Sequence, residues 1–238
     1  RPGRSAGPCV IRALIWDVDG TLAETEETHR QAFNDSFAAA GLDWAWDRPT
    51  YRRLLRVTGG KERIARFAKE VGQNIGLQVI ADIHGAKTRL YGNMIETGSA
   101  SLRPGVAALI RASRAQGIRN AIATTTSRPN VDALILAAMG EPADRVFDVI
   151  AAGDEVAAKK PAPDVYLLAL QRLGLAPADC IAIEDSLPGL ASARAAGLRV
   201  LVTPSTYTRG EDFSTADWLL EDLTAPLPDP LAALLARA

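Results

Sequence analysis

The chain has 238 residues, 47% of them hydrophobic and 23% charged, with a formal net charge of −1. That length holds one large domain, or one domain with a small insert, and the near-zero charge argues against a broad nucleic-acid or anionic-membrane surface. No apolar run reaches the length of a membrane span, and two cysteines, Cys9 and Cys180, make no disulfide framework, so a reducing cytoplasm is expected, with a plastid left open.

Residues 1–8 lack the apolar core of a secretory signal and are set aside from the fold. The run 10–16 is almost continuously apolar and predicts a first buried strand. Residues 24–97 then break into helical patterns, best over 25–40, 61–71 and 80–95, with no convincing strand. Beyond residue 98 the pattern alternates. Strands are predicted over 121–123, 146–151, 180–183 and 198–202, and helices over 106–116, 131–139, 164–173 and 190–196. Gly117, Gly140, Gly174 and Gly197 stand where helix C-termini are expected. The proline-rich stretch 223–230 precedes a short C-terminal helix. The class is therefore α/β, a parallel sheet covered on both faces, with a run of helices inserted after the first strand. Residues 9–23 and 98–238 form the expected core, and 24–97 the inserted all-helical cap.

The first strand runs into Asp17-Val18-Asp19-Gly20-Thr21. Side chains at i and i+2 of an extended segment share a face, so both carboxylates are expected to project together from the strand's carboxyl end. Gly20 permits a sharp turn. A calcium loop counted from Asp17 needs Gly at its sixth position and Glu at its twelfth, but Leu22 and Thr28 stand there. Glu184-Asp185 ends another apolar strand. Converging acids repel, and a hard dication such as magnesium relieves them. Alone, Asp185 reads equally as a cap for the next helix. Thr124-Thr125-Thr126-Ser127 offers hydroxyls and amides for a phosphate, or a simple N-cap. In Lys159-Lys160-Pro161, the proline holds Lys160 on a stiff, extended stem, where it can neutralise a phosphate and nearby acids; by itself the tripeptide reads as a solvated loop.

These four motifs, in the chain order Asp17 to Thr21, Thr124, Lys160-Pro161 and Glu184-Asp185, resemble the haloacid dehalogenase (HAD) superfamily of phosphotransferases over residues 11–202. The resemblance implies a Rossmann-like core and a helical cap. It also implies that Asp17 attacks phosphorus to form an aspartyl-phosphate. Asp19 then serves as general acid and, later, base. Magnesium is held by Asp17, Asp185, the main chain of Asp19 and Glu184, directly or through water. Thr124, the Thr125 amide and Lys160 hold the transferred phosphoryl group.

Details of the cap resemble the CbbY and beta-phosphoglucomutase branch: Glu24 to Glu27 with His29, Val57-Thr58-Gly59-Gly60-Lys61-Glu62-Arg63, and Ala81 to His84 with Lys87. CbbY-type proteins act as xylulose-1,5-bisphosphate phosphatases beside the Calvin-cycle carboxylase, so a sugar bisphosphate is the implied substrate. A Gly-Gly turn opening a helix, with Lys61, Arg63 and Arg66 close by, suits a clamp for a second phosphate; without the resemblance it reads as a basic solvated face. Lys87 falls where a related mutase binds phosphate. Glu24 and His29 are placed to meet substrate hydroxyls, His29 also reading as an ordinary helix-face histidine, and His84 reads as structural. Arg128 departs from the branch, where an apolar residue is expected. A phosphomutase shares all the core chemistry and is the alternative; a dehalogenase has no use for Asp19. A monomer is expected, without nucleic-acid or membrane partners.

Overall fold

The computed structural model describes residues 11–98 and 100–236, so Cys9, Val10 and the leader lie outside the described residues. Six strands form one sheet: β1 (Ala13–Trp16), β2 (Arg119–Ala123), β3 (Val149–Ala151), β4 (Cys180–Glu184), β5 (Arg199–Val202) and β6 (Trp218–Leu219). Their order is 3-2-1-4-5-6 and every pairing is parallel. The apolar strand runs explain the burial. Leu14, Trp16, Ile122, Ile183 and Leu201 enter one core layer, while Ala13, Ile15, Ala121, Ala182 and Val202 enter the other. Strand order reverses at β1. The carboxyl ends of β1 and its neighbour β4 thus flank the crevice where open parallel sheets bind ligands.

Four helices separate β1 from the rest of the core: α1 (Glu26–Ala39), α2 (Arg48–Leu54), α3 (Gly60–Glu70) and α4 (Leu77–Thr97). They bury an apolar cluster of their own around Phe33, Phe37, Trp46, Tyr51 and Ile64. Tyr207, from the loop after β5, joins that cluster. The far end of α4, through Tyr91 and Ile95, packs instead with the layer that buries Leu134. The core helices are α5 (Val106–Ala115), α6 (Arg128–Met139), α7 (Ala143–Val146), α8 (Asp164–Leu173), α9 (Leu187–Ala195) and α10 (Ala232–Leu235). Gly117, Gly140, Gly174 and Gly197 all take positive φ at or just beyond helix ends, as their positions predict.

Three elements differ from the sequence reading. The run 146–151 is not one strand: Val146 closes α7, Phe147 N donates to Ala143 O, and pairing starts only at Val149. Helix α2 escapes the apolar pattern because it is seven residues long, although Asp47 caps Thr50 N and Pro49 sits in its first turn. Strand β6 is a two-residue edge too short to carry a period. Among the described residues, no helix is long and apolar enough to cross a membrane.

Candidate active site

Strand β1 stops at Trp16, and Asp17 N adds one more ladder bond, to Ile183 O at 3.0 Å. The chain then turns at Gly20, whose φ is +85°. A Cβ there would lie 2.2 Å from Asp185 Oδ2, so only glycine lets this loop pack against the β4 loop. The two carboxylates of the motif border one cavity but meet different partners. Asp17 faces the sheet and Asp19 faces α1.

On the sheet side, Asp17, Glu184 and Asp185 each offer a carboxylate oxygen, and these atoms lie within 4.8 Å of one another. Lys160 Nζ donates to Asp17 Oδ1 at 2.7 Å and to Glu184 Oε1 at 2.6 Å. Tyr166 OH donates to the same Glu184 oxygen at 2.6 Å, and Thr21 Oγ1 to Asp17 Oδ2 at 3.0 Å. Thr208 Oγ1 supports Asp185 through its carbonyl at 2.6 Å. Burial, with Glu184 adding and Lys160 opposing, pushes Asp17 up to about 7. Burial, then the charges of Asp17 and Glu184, pushes Asp185 well above the carboxylate range. Burial alone would discharge Lys160, but Asp17 and Glu184 outweigh it and hold the ammonium charged. Three buried acids facing one lysine leave surplus negative charge, and a set of hard oxygen donors suits a dication.

On the cap side, Asp19 Oδ1 accepts from Thr25 Oγ1 at 2.6 Å and meets His29 Nε2 at 2.8 Å. Lys87 Nζ lies 2.5 Å from His29 Nδ1. An ammonium only donates, so while Lys87 is charged, Nδ1 accepts and the ring proton sits on Nε2, facing Asp19. The imidazole stacks on Tyr91, with centroids 4.0 Å apart. Burial works to raise Asp19, but His29 and Thr25 hold it below its ordinary value. Burial pushes Lys87 down to about 7, with Asp19 opposing.

A cavity of about 100 Å³ lies between the two clusters. It brings together Asp17, Asp19, His29, Thr58, Gly60, Arg63, Lys87, Thr124, Thr125, Lys160 and Asp185 from the sequence-predicted set. Glu184 stands behind Lys160, fully buried. Glu24, Gly59 and Lys61 do not line it. Glu24 accepts from Thr206 N and approaches Arg103, while Lys61 lines a separate cleft with His84, Ser127 and Asn130. Arg128 also stays away, paired with Asp132 and Asp144.

Sequence reasoning missed several residues at the cavity wall: Glu26, Arg52, Arg56, Ser205, Tyr207 and Thr208. Arg52 and Arg56 belong to and follow the missed α2, and Glu26 lies inside the Glu24 to Glu27 run without a role of its own there; Ser205, Tyr207 and Thr208 carry no local signal. Arg63 Nη1 donates to Tyr51 OH at 3.1 Å, and Tyr51 OH donates to Glu26 at 2.7 Å. Thr58 Oγ1 donates to Lys160 O, joining cap to core.

The family model for haloacid dehalogenase-like hydrolases matches residues 11–197. Protein CbbY of Rhodobacter capsulatus is 64% identical over 215 residues, covering 90% of this chain and 95% of that protein. Protein CbbY of Cereibacter sphaeroides is 54% identical, covering 92% of this chain and 100% of that one. Among solved structures, a CbbY variant from Rhodobacter sphaeroides in complex with xylulose-(1,5)bisphosphate superposes with a TM-score of 0.89 at 54% identity, covering 91% of this chain and 96% of that one. A beta-phosphoglucomutase from Clostridium difficile, 19% identical, shares the fold with a TM-score of 0.79, covering 96% of this chain and 98% of that one. The acid cluster at the strand ends, the helices over it and these likenesses agree: the chain belongs to the haloacid dehalogenase-like hydrolases, in their CbbY-type branch, and is a phosphoric monoester hydrolase.

Proposed function

We propose that the chain dephosphorylates a sugar bisphosphate, xylulose 1,5-bisphosphate, through an aspartyl-phosphate on Asp17. The observation that carries this reading is the pairing of a buried acid–lysine cluster with a cap that turns cationic side chains into the same cavity. Residues 24–97 serve as the cap and 9–23 with 98–238 as the catalytic core.

In this reading Asp17 Oδ attacks phosphorus, the ester P–O bond breaks, and the leaving oxygen takes a proton from Asp19. Asp19, now a carboxylate, removes a proton from water, whose oxygen attacks the aspartyl-phosphate and frees inorganic phosphate. His29 and Lys87 stand behind Asp19 and favour its ionised form, the base of the second step; the proton that Asp19 takes from water there is the one it gives to the leaving oxygen of the next turnover. Thr124, the Thr125 amide and Lys160 meet the phosphoryl oxygens as charge builds. Asp17, Asp185 and the Asp19 main-chain carbonyl would hold magnesium, which there neutralises the acids and the phosphoryl charge. Glu184 keeps Lys160 in place. The second phosphate meets Arg63, Arg56 and Arg52 rather than Lys61, because those three line the cavity.

Phosphate release from xylulose 1,5-bisphosphate tests the reading, run with magnesium and with a chelator beside simple sugar monophosphates. Magnesium-dependent preference for the bisphosphate is expected. Equal rates on the monophosphates would reject the second-phosphate site, and phosphate release unaffected by chelation would reject the metal.

A further inference from the structure

Arg103 opens the turn before α5 and lies outside every motif named above, yet its side chain is 7% exposed and directed at the back of the reaction centre. Its Nη1 donates to Gly20 O and, at 2.7 Å, to Thr203 O. Its Nη2 donates to Pro204 O at 2.8 Å and reaches Glu221 O at 3.4 Å. The nearest carboxylate is Glu24, at 3.5 Å, and Glu24 in turn accepts from Thr206 N at 3.2 Å. The main chain of Arg103 adds a bond to Leu22 O at 2.7 Å.

The acceptors belong to two loops. Gly20 and Leu22 continue the loop that carries Asp17 and Asp19. Thr203 and Pro204 begin the loop that carries Ser205 and Thr208, and Thr208 Oγ1 holds the Asp185 carbonyl. The same Gly20 packs against the Asp185 carboxylate, with no room for a methyl group. A buried cation is costly unless its donors are satisfied, so an arginine spent on main-chain carbonyls fixes those carbonyls in space. A planar fork with five donors can meet carbonyls of both loops and of Glu221 at once, whereas an ammonium with three donors can bridge only some of them.

We propose that Arg103 is a positioning residue for the hydrolysis: it locks the loop of Asp17 and Asp19 to the loop behind Asp185, and so sets the spacing of the acids on either side of the reaction centre. The proposal rests on the assignment of Asp17 and Asp185 to that centre. A purely structural arginine predicts lower thermal stability alone. A positioning arginine predicts altered chemistry in the molecules that remain folded.

The test compares the parent with Arg103→Met and Arg103→Lys, using p-nitrophenyl phosphate as substrate and calorimetric titration with magnesium chloride alone. Groups that orient metal-binding side chains typically change affinity or activity by about 10–100-fold, so Arg103→Met should lower kcat and weaken magnesium binding by about that much, with KM within about threefold. Arg103→Lys keeps a nitrogen able to bridge Gly20 O and Thr203 O, and should recover about half of the loss on a logarithmic scale. If Arg103→Met does not fold, Arg103→Lys decides, with a loss of about three- to tenfold expected in both quantities. Folded variants with a lower melting temperature but parental kcat and magnesium affinity would overturn the proposal. Asp17→Asn, assayed alongside, should be inactive; if it is active, the assignment of the centre falls and the proposal with it. If it is inactive while both Arg103 variants behave as the parent, the Arg103 proposal alone falls.

Discussion

Asp17 and Asp19 stand two residues apart on one loop and are pushed in opposite directions. Asp17 sits among other acids, where burial drives it up to about 7 despite Lys160. Asp19, a little more exposed, faces His29 and Thr25, which hold it ionised. Environment, not residue type, separates the two. A carboxylate among acids gains most from an electrophile or a cation, whereas one held by an imidazole is prepared to take a proton from water. The division follows the architecture, since one set of partners comes from the sheet ends and the other from α1 and α4.

Removing one side of the comparison has the largest expected effect. Asp17→Asn keeps the shape and one acceptor oxygen but takes away the nucleophile, and loss of a covalent nucleophile costs about 10⁴-fold or more in kcat. Phosphate release under single-turnover conditions checks this, and residual activity within about a hundredfold of the parent would remove Asp17 from the covalent step. The other side breaks at His29. His29→Ala leaves Asp19 buried without its main partner, so burial raises its pKa. Asp19 must be ionised to activate water, so in single-turnover hydrolysis of pre-formed phosphoenzyme the acid limb of the pH–rate profile should move to higher pH. At neutral pH the rate should fall by about 10²-fold, the scale of general acid–base catalysis. An unmoved acid limb would detach His29 from Asp19.

Much of this division was written locally. The acids at the strand ends, Gly20 and the Lys160-Pro161 pair are legible because strand runs and turn residues announce them within a few positions. The partners of Asp19 are less so: the ring of His29 is aimed by stacking on Tyr91, sixty-two residues away. The two cations beside the Gly-Gly turn separate for a similar reason. Lys61 and Arg63 are two residues apart on α3, roughly 200° around a helix, so packing against α4 sends one to the cavity and the other to the outer cleft. Arg103 gives no sequence signal because its partners are main-chain carbonyls, which any residue supplies.

The two described histidines sharpen the comparison by the smallest expected effect. His29 is engaged on both nitrogens, whereas the partly buried His84 ring fills the space beside Gly60, where a Cβ would come within 2.5 Å of it. Burial, with Lys87, Lys61, His29 and Arg63 facing it, pushes His84 down to about 3. In the unfolded chain a histidine titrates near 6.5, so between these limits only the unfolded state gains the proton. The contribution is therefore intact above about pH 6.5 and drains away as the pH falls, amounting to at most about 2 kcal/mol between pH 7 and pH 5. Urea unfolding of the parent and of His84→Asn at both pH values isolates it as a difference in slope, independent of whatever the substitution costs in packing. The variant should lose less stability on acidification than the parent; equal losses would mean that His84 takes up its proton in the folded protein as readily as in the unfolded chain.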